Sequence, residues 1–393
     1  MTNKRLLLLG GSHADIPLIV AAKNLGFEVI TTGNKPSDLG HPFADQYVNG
    51  DFSDVLEMTK LASQLQISAV CAGCNDFAAI SAAFVAEQLG LPGHDSSELT
   101  LSIHHKNRFY EIATSASISV PLTREVTTLQ EATSTAEQFG LPVILKPTDL
   151  TGGKGISVVH RLEDLASAWD IAASITRRDC LVIQQYITGS NHAVSVIISD
   201  GSIAFAFFDN EHYYSNKYLV GAASFPTELS LEVQSRVKNS VQSLVDELQL
   251  VDGLLHLQFM VDAKQEFFFI DVCRRSPGDL YIRFVEISTG IPYPEIIVRA
   301  ASGLAIDSQL VATNSRFMGR LCLMPSETGL FVRVHEVEGP GRILERLPLM
   351  LPGTDIYDVG LQKVEILQIE FESAEEMHQV MNNPSLRFQV EVI

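Results

Sequence analysis

The chain has 393 residues, which exceeds the size at which one hydrophobic core keeps growing, so we expect two or three domains. Its hydrophobic content of 46% and charged content of 19% are typical of a globular protein rather than a disordered one. The formal net charge of −19 argues against nucleic acid as a partner, because phosphate backbones are bound by basic surfaces.

The N-terminal stretch, the lengths of the apolar runs and the cysteine content together predict where the protein is located in the cell. The N-terminal stretch MTNKRLLLLGG has four consecutive leucines, fewer than the roughly 7–15 apolar residues of a secretory signal. No apolar run reaches the roughly 18 residues of a membrane span, so we expect no membrane association. Five cysteines spread over the chain do not suggest a disulfide framework. We expect a cytoplasmic protein, and the oligomeric state is left open, with a homodimer among the alternatives.

The first 112 residues alternate between strands and helices. Apolar runs predict strands at residues 5–9, 27–31 and 67–73. Helical patterns separate them, and the candidate N-caps are Asp51 or Ser53 for one helix and Asp76 for the next. Such alternation is typical of a parallel sheet covered on both faces. We therefore predict a doubly wound α/β domain over residues 1–112.

The middle of the chain mixes helices with paired strands. Thr128 and Glu131 form a capping box at the start of a helix. The pair Asp200-Gly201 lies between two apolar runs and is typical of the turn in an antiparallel hairpin. These patterns predict an α+β domain, largely antiparallel, over residues 113–312. The remainder is rich in Gly/Pro turns and predicts a small β-rich domain over residues 313–393.

The stretch KPTDLTGGKGISVV, residues 146–159, places glycines next to lysines between two predicted strands. It fits neither the P-loop nor the dinucleotide-binding turn. Its glycines can bring backbone N–H groups close to an anion, and Lys154 adds a mobile charge. The alternative is a flexible hairpin tip with exposed lysines.

The hairpin over residues 253–273 places one carboxylate in an apolar layer. With a period of two, His256, Gln258 and Met260 share one face of their strand, and Asp271 lies in the partner strand. A carboxylate there needs a cation or a donor, because burying it alone is costly. An ion pair with Arg274 or Arg275 is one alternative, and a metal or phosphate site is the other.

Six short motifs follow one another along the chain. They are HHKNRFYE, with Lys106; VILKP, with Lys146; TGGKGISVV; VIQQYITG; SNKYLVG, with Lys217; and FIDVCRRSPGD, with Asp271 and Arg275. In this order, over residues 1 to about 310, they resemble the ATP-grasp superfamily, and in particular its carboxylate–amine ligases. These include the large chain of carbamoyl-phosphate synthase, phosphoribosylglycinamide synthetase and amino-acid ligases. The resemblance implies an N-terminal α/β domain followed by a nucleotide clamp with a mobile lid at about 120–187.

The resemblance also implies roles for individual residues. Three lysines would bind the nucleotide or its phosphates, and a glycine flap would cover them: Lys106, Lys146, Lys217, Gly152, Gly153, Lys154 and Gly155. A second group would lie beside adenine and ribose: Gln184, Gln185, Tyr186, Ile187, Asn191 and His192. Arg275 would bind the substrate carboxylate through its bidentate guanidinium group. The neighbours of Lys106, His104 and His105, are expected on the surface of a helix.

The implied activity is ATP-dependent ligation of a small carboxylate to an amine, with ATP and Mg²⁺ (or Mn²⁺) as cofactors. The family pattern for the metal is two glutamates and an asparagine, whereas this chain has Gln258, Asp271 and Cys273. Mg²⁺ prefers hard oxygen ligands, so we assign the metal to Asp271 and Gln258 and exclude the soft Cys273. Two interpretations stay open: an active ligase, or a nucleotide-binding protein whose catalysis is lost or altered.

Overall fold

The computed structural model describes residues 4–147, 155–314 and 316–393. The N-terminal part is an α/β unit with these elements: β1 Arg5–Leu9, α1 Ile16–Asn24, β2 Glu28–Gly33, β3 Gln46–Asn49, α2 Val55–Leu65, β4 Ala69–Ala72, α3 Asp76–Leu89, α4 Ser97–His104 and α5 Lys106–Ser115. The sheet order is β3-β2-β1-β4, and every pair is parallel. The predicted doubly wound α/β architecture is confirmed.

The helix starts differ slightly from the predicted ones. Asp54 is the N-cap of α2, because its carboxylate accepts hydrogen bonds from the backbone N–H groups of Leu56 and Glu57. Asn75 is the N-cap of α3, and Asp76 is the first residue of that helix. The predicted caps Asp51, Ser53 and Asp76 were therefore wrong by one to three residues, since several adjacent side chains can accept the same bonds.

The loop after β1 is closed by a carboxylate from its own chain. Asp15 is 2% exposed, and its Oδ2 accepts hydrogen bonds from the backbone N–H groups of Gly11 (2.9 Å) and Ser12 (2.8 Å). Its Oδ1 accepts a third bond, 2.7 Å long, from the N–H of Cys74 after β4. A Cβ on Gly73 would lie 2.8 Å from Asp15 Oδ1, so a side chain there would collide with the carboxylate.

The next part is a small antiparallel sheet covered by two helices. Its elements are β5 Thr123–Val126, α6 Leu129–Phe139, β6 Val143–Pro147, β7 Ser157–Val159, α7 Leu165–Ile175 and β8 Leu181–Gln185, in the sheet order β5-β8-β6-β7. The helices and strands enclose a hydrophobic cluster of their own, with Ala136, Leu145 and Ile183 fully buried. This unit lies within the segment at about 120–187 for which a mobile lid is predicted, and the lid stays a prediction.

The largest sheet has eight strands in the order β13-β12-β9-β10-β11-β14-β18-β16. The remaining elements of the chain are β9 Gly189–Ser199, β10 Ser202–His212, β11 Ala222–Phe225, α8 Leu231–Leu248, β12 Gly253–Asp262, β13 Phe267–Cys273, α9 Tyr281–Thr289, α10 Tyr293–Ala301, β14 Phe317–Leu323, β15 Gly329–Glu336, β16 Arg342–Pro348, β17 Asp355–Ile356, β18 Glu365–Phe371, α11 Ala374–Asn382 and β19 Phe388–Val392. The hairpin at Asp200-Gly201 is confirmed: β9 and β10 are antiparallel, and both turn residues have positive φ.

Strands from the C-terminal part extend this large sheet rather than forming only a sheet of their own. β14 pairs with β11, and β18 and β16 follow it, while β17, β15 and β19 form a separate three-stranded sheet. The predicted boundary at residue 313 thus precedes the strand that joins the two parts. Within the described ranges, no helix is both long enough and apolar enough to cross a membrane.

The two faces of the large sheet have different surroundings. One face packs on α5 and α8 and is apolar, with Val194, Leu257 and Phe259 fully buried. Residues at alternate positions point to the opposite face, which has polar side chains near the junction with the small sheet. The candidate site lies there.

Candidate functional site

The end of β6 presents a buried lysine to a polar cluster. Lys146 is 7% exposed, and its Nζ donates a 2.8 Å hydrogen bond to Oε1 of Gln184 on β8. The amide nitrogen of Gln184 in turn donates to Thr123 Oγ1 at 2.9 Å. The ammonium also lies 5.6 Å from the centre of the Tyr110 ring, so helix α5 closes the other side. The predicted residues Lys146 and Gln184 are therefore in contact.

Lys106 links this cluster to the large sheet. Its Nζ lies 3.9 Å from Oδ1 of Asp271 on β13, and the attraction of that carboxylate raises the pKa of Lys106. Burial, together with the nearby charge of Lys106, lowers the pKa of Lys146 to about 7. Two lysines close enough to repel each other are stabilised by an anion between them, and phosphate is such an anion.

Asp271 forms neither of the ion pairs that its sequence neighbourhood predicts. Arg274 pairs with Asp95 at 2.7 Å and is almost fully buried, so it is a structural residue. Arg275 pairs with Asp76 at 2.9 Å. The partner of Asp271 is Lys106, and the carboxylate side chain is 45% exposed, which leaves it accessible.

Arg275 is held by the N-terminal unit. Its Nε and Nη2 both contact Oδ1 of Asp76, and His104 Nδ1 lies 3.0 Å from the same oxygen. Burial alone would raise the pKa of Asp76, but His104 and Arg275 hold it below its usual range. The expectation that His104 lies on a helix surface was wrong, because its side chain is 1% exposed. The contact involves residues far apart in sequence, so local periodicity could not reveal it.

A third carboxylate, Glu211, is present that sequence reasoning missed. The amide nitrogen of Gln258 donates a 2.6 Å hydrogen bond to Glu211 Oε1, and the Tyr213 hydroxyl donates to Oε2 at 2.8 Å. Burial raises the pKa of Glu211 to about 7, although both of these hydrogen bonds oppose the rise. The sequence signal that could have located Glu211 was the hairpin turn at Asp200-Gly201. This turn sets the register of β10 against β9 and so determines which β10 residues share a face.

The last two residues of β8 and the two residues after it, Gln184–Ile187, are the predicted adenine-contacting residues. The backbone N–H groups of Gln185 and Tyr186 donate to the carbonyl oxygens of Leu122 (2.8 Å) and Pro142 (3.3 Å). Ile187 is buried, and among the described residues its N–H has no hydrogen-bond partner. Of these three backbone donors, that of Ile187 is the one left for a ligand.

Asn191 and His192 point to opposite faces of β9. Asn191 is opposite Met260, which shares a face with Gln258, so it lies on the polar face. His192 is 3% exposed and packs against Phe259 in the apolar layer, with Nε2 2.7 Å from Ser190 Oγ. Burial lowers the pKa of His192 to about 4, which keeps its ring neutral near pH 7. Only Asn191 shares a face with Glu211 and Gln258.

The remaining predicted phosphate-binding residues are Lys217 and the glycine-rich segment, residues 152–155. Lys217 is exposed in the loop between β10 and β11, and the structure records no ion pair for it among the described residues. Burial raises the pKa of Tyr218 in the same loop, and the charge of Tyr186 adds to the rise. Gly155 has φ +72°, and a Cβ there would lie 2.9 Å from Pro147 Cγ. Gly152, Gly153 and Lys154 lie outside the described residues.

Some of the side chains at this site are suitable ligands for a hard divalent cation, and one is not. Asp271 and Glu211 offer carboxylate oxygens and Gln258 offers an amide oxygen, which are ligands that Mg²⁺ and Mn²⁺ accept. Cys273 does not fit, because burial raises the pKa of its thiol to about 12 and the thiol donates to the Arg275 carbonyl. In the described part of the chain no three His, Cys, Asp or Glu residues form a complete metal cage. A cation here would need further ligands from a phosphate or water, as Mg²⁺ sites commonly have.

Comparison with known proteins identifies the family to which this chain belongs. The family model described as "Carbamoyl-phosphate synthase L chain, ATP binding domain" matches residues 105–309, just over half of the chain. The carbamoyl phosphate synthase large chain of Vibrio vulnificus (strain CMCP6) is 26% identical over 207 residues, covering 52% of this chain and 19% of that protein. The match thus spans about a fifth of the length of that relative.

Two solved structures share the architecture along its full length. Phosphoribosylglycinamide synthetase from Anaerococcus prevotii has a TM-score of 0.80 at 18% identity, and each chain is covered to 100%. L-amino acid ligase from Bacillus licheniformis has a TM-score of 0.82 at 17% identity, again with 100% coverage of both chains. Because the family model covers the very segment that contains the lysines, Gln258 and Asp271, the chain belongs to the carbamoyl-phosphate synthase L chain ATP-binding family, within the ATP-grasp superfamily.

Proposed function

We propose that this protein is an ATP-dependent ligase that joins a small carboxylic acid to an amine. One observation supports the proposal most directly: Lys146 of the small four-stranded sheet lies near Lys106, and Lys106 lies 3.9 Å from Asp271 of the large sheet. Lys146 and Lys106 provide positive charge for phosphates, and Asp271 next to Lys106 begins a region of negative charge suited to the accompanying cation. A metal-bound nucleotide carries the complementary charges, with negative phosphates for the lysines and a cation for the carboxylate.

The roles of the residues follow from their positions. Lys106 and Lys146 stabilise the negative charge of the transferred phosphoryl group, and Lys217 adds positive charge to the same group. The segment Gln184–Ile187 contacts adenine, and Asn191 contacts ribose. Arg275 binds the substrate carboxylate, and Asp76 and His104 hold its guanidinium group in place. Asp271 and Gln258 would hold a bound Mg²⁺ or Mn²⁺, which would supply positive charge to offset the negative charge that develops during phosphoryl transfer.

The reaction proceeds in two transfers. A carboxylate oxygen of the acid attacks the γ-phosphorus, the bond to the β-phosphate oxygen breaks, and ADP leaves. The amine nitrogen then attacks the acyl carbon of the resulting acyl phosphate, inorganic phosphate leaves, and the nitrogen loses one proton. Arg275 contributes by orienting the nucleophilic carboxylate, which converts a bimolecular encounter into a positioned reaction.

A second candidate is a nucleotide-binding protein without turnover. Gln258 favours it, because a neutral amide replaces a carboxylate at a metal-ligand position, and a missing charge weakens binding of the catalytic cation. In this case ATP would bind between Lys106 and Lys146 without forming an acyl phosphate.

ADP formation distinguishes the two candidates. The purified protein is incubated with ATP, Mg²⁺ or Mn²⁺, and a panel of amino acids and short carboxylic acids paired with amines. We expect ADP and phosphate to form in equal amounts with at least one pair, and the variant Arg275→Met to lose this turnover while binding ADP normally. Tight ATP binding with no ADP for any pair would support the second candidate. No measurable binding of ATP or ADP would contradict both.

A further inference from the structure

A cavity lies where three parts of the chain meet, and its lining includes none of the residues assigned above to the nucleotide, the metal or the acid. Its volume is about 630 Å³, and sites for small molecules commonly have about 300–1,000 Å³. Helix α1 lines one side, α9 and the start of α10 a second, and strands β16 and β18 the third. The apolar part of the lining includes Ile16, Pro17, Val20, Leu280, Leu347 and Ile366. The cavity can therefore take the apolar part of a ligand out of water.

One buried amide in the cavity wall has an acceptor without a partner. Gln368 on β18 is 1% exposed, and its amide nitrogen donates to the carbonyl oxygen of Leu280 at 3.4 Å. The NH₂ group must face that carbonyl, so Oε1 is the free end of the amide, and it has no hydrogen-bond partner among the described residues. Arg320, the Cα partner of Gln368 on β14, donates to the carbonyl oxygen of Asp279 instead. Because buried acceptors are normally satisfied, this oxygen indicates a donor from outside the chain.

Glu345 places a carboxylate beside this amide. It lies on β16 as the Cα partner of Gln368, so the two side chains share a face of the sheet, with Cβ atoms about 5 Å apart. The carboxylate accepts hydrogen bonds from Nε and Nη2 of Arg283 on α9. A carboxylate has about four acceptor positions, so a further donor can still bind. The side chain is 39% exposed, which leaves it accessible.

The charged residues of the wall leave a negative excess. Arg283 is shared by two carboxylates of the wall, Glu345 and Glu286, so one negative charge is not neutralised. The other charged residues of the wall have partners of their own: Arg346 pairs with Glu336 and Glu365, and Glu295 pairs with Arg299. The excess charge favours a cation over an anion in the cavity.

We propose that this cavity binds a small protonated amine with an apolar body. The ammonium donates hydrogen bonds to Gln368 Oε1 and to the Glu345 carboxylate, since an ammonium group has three donors and no acceptor. The apolar body packs against Val20 and Leu347. This site is independent of the proposed ligase reaction, because no residue of the cavity has a role in that reaction.

Calorimetry with three probes that share one apolar body tests the chemical class of the ligand. Phenethylamine, phenethyl alcohol and hydrocinnamate carry a positive, a neutral and a negative group. At neutral pH and without ATP, we expect the amine to bind the unchanged protein about tenfold more tightly than the alcohol, because its hydrogen bonds are charge-assisted. Hydrocinnamate should not bind. Glu345→Gln should remove the preference for the amine and leave binding of the alcohol unchanged.

A second variant tests the location. Val20 is 42% exposed on α1, so Val20→Trp places a larger side chain in the cavity without crowding the core, and it should abolish binding of phenethylamine. Leu231→Trp, at an 83% exposed position of α8, is the matched control and should bind the amine like the unchanged protein. Thermal melting of both variants checks that they are folded.

Three results would overturn the proposal: no detectable binding of phenethylamine, equally tight binding of hydrocinnamate, or undiminished binding of the amine by Val20→Trp. If the amine does not bind and sedimentation shows that Val20→Trp converts a dimer into a monomer, the cavity is instead an interface between two copies of this chain. ADP binding by the same variants should match that of the unchanged protein. A failure of this proposal is thus distinguishable from a failure of the proposed function.

Discussion

Burial and ligand binding have opposite effects on the protonation of Lys146: burial favours the neutral amine, and a bound phosphate favours the ammonium. In the free protein its ammonium is desolvated and lies near Lys106, so its pKa is about 7. A phosphate group beside it favours the protonated form and raises that pKa. The affinity for nucleotide is therefore complete below about pH 7 and decreases as the pH rises above it, since binding then requires uptake of a proton.

This dependence can be measured by calorimetry of ADP binding between pH 6 and 9, in buffers of different ionisation enthalpy. We expect proton uptake of up to one per ADP above about pH 7 in the unchanged protein. The variant Lys146→Met should bind ADP weakly, with little pH dependence over this range, while Lys238→Met, at an exposed position of α8, should behave like the unchanged protein. Equal pH profiles for the unchanged protein and Lys146→Met would show that Lys146 does not bind phosphate.

At the scale of elements, the loop after β1 depends on one side chain. Three backbone N–H groups, from both the β1 and the β4 loop, donate to Asp15. The variant Asp15→Ala would leave these donors without an acceptor, and each lost bond to a buried charge is expensive. We expect a loss of about 3 kcal/mol or more in the free energy of unfolding, measured by urea denaturation.

The control for this prediction is Asp54→Ala, which removes an exposed N-cap of α2. It should cost only about 1 kcal/mol. If the two variants lose the same stability, the Asp15 bonds contribute no more than an ordinary helix cap, and the view that Asp15 closes this loop is wrong.

The parts of the fold that sequence predicts well are those with local causes. The β9–β10 hairpin follows from Asp200-Gly201, whose residues tolerate positive φ, and the parallel strands follow from continuous apolar runs. Strand β3, Gln46–Asn49, was not predicted, because its polar residues lie at an edge of the sheet and show no apolar pattern. Within the site, motif order places Lys106 and Lys146, and the turn at Asp200-Gly201 sets the register of Glu211. The contacts of Glu211 with Gln258 and of His104 with Asp76 join distant segments, so no local pattern reveals them.

At the scale of the whole molecule, Asp279 connects three parts of the chain. It lies 3.7 Å from His13 of the N-terminal unit and 3.7 Å from Arg320 on β14, and it also accepts a hydrogen bond from Lys363. Burial would raise its pKa, but these three partners hold the pKa of Asp279 well below its usual range. A carboxyl with a lowered pKa stabilises the fold above its unfolded pKa, about 3.9, and this stabilisation is lost as the pH falls below that value.

The variant Asp279→Asn tests this connection. At pH 7 we expect it to lower the free energy of unfolding by about 3 kcal/mol, because it leaves buried Arg320 without its charge partner. The difference from the unchanged protein should shrink as the pH falls below about 4, since protonation then removes the same charge. Asp170→Asn, at an exposed position of α7, is the control and should have no effect. A difference in stability that is independent of pH would mean that the ion pairs do not contribute.

The carboxylate of Asp15 has a consequence for what the N-terminal unit can recognise. It already occupies the backbone donors that would otherwise attract a phosphate after a first strand of this kind. Because it is tethered to the same loop, its effective concentration far exceeds that of any free anion in solution. A dinucleotide phosphate would have to displace the Asp15 carboxylate from these N–H groups. We therefore expect the loop after β1 not to bind phosphate.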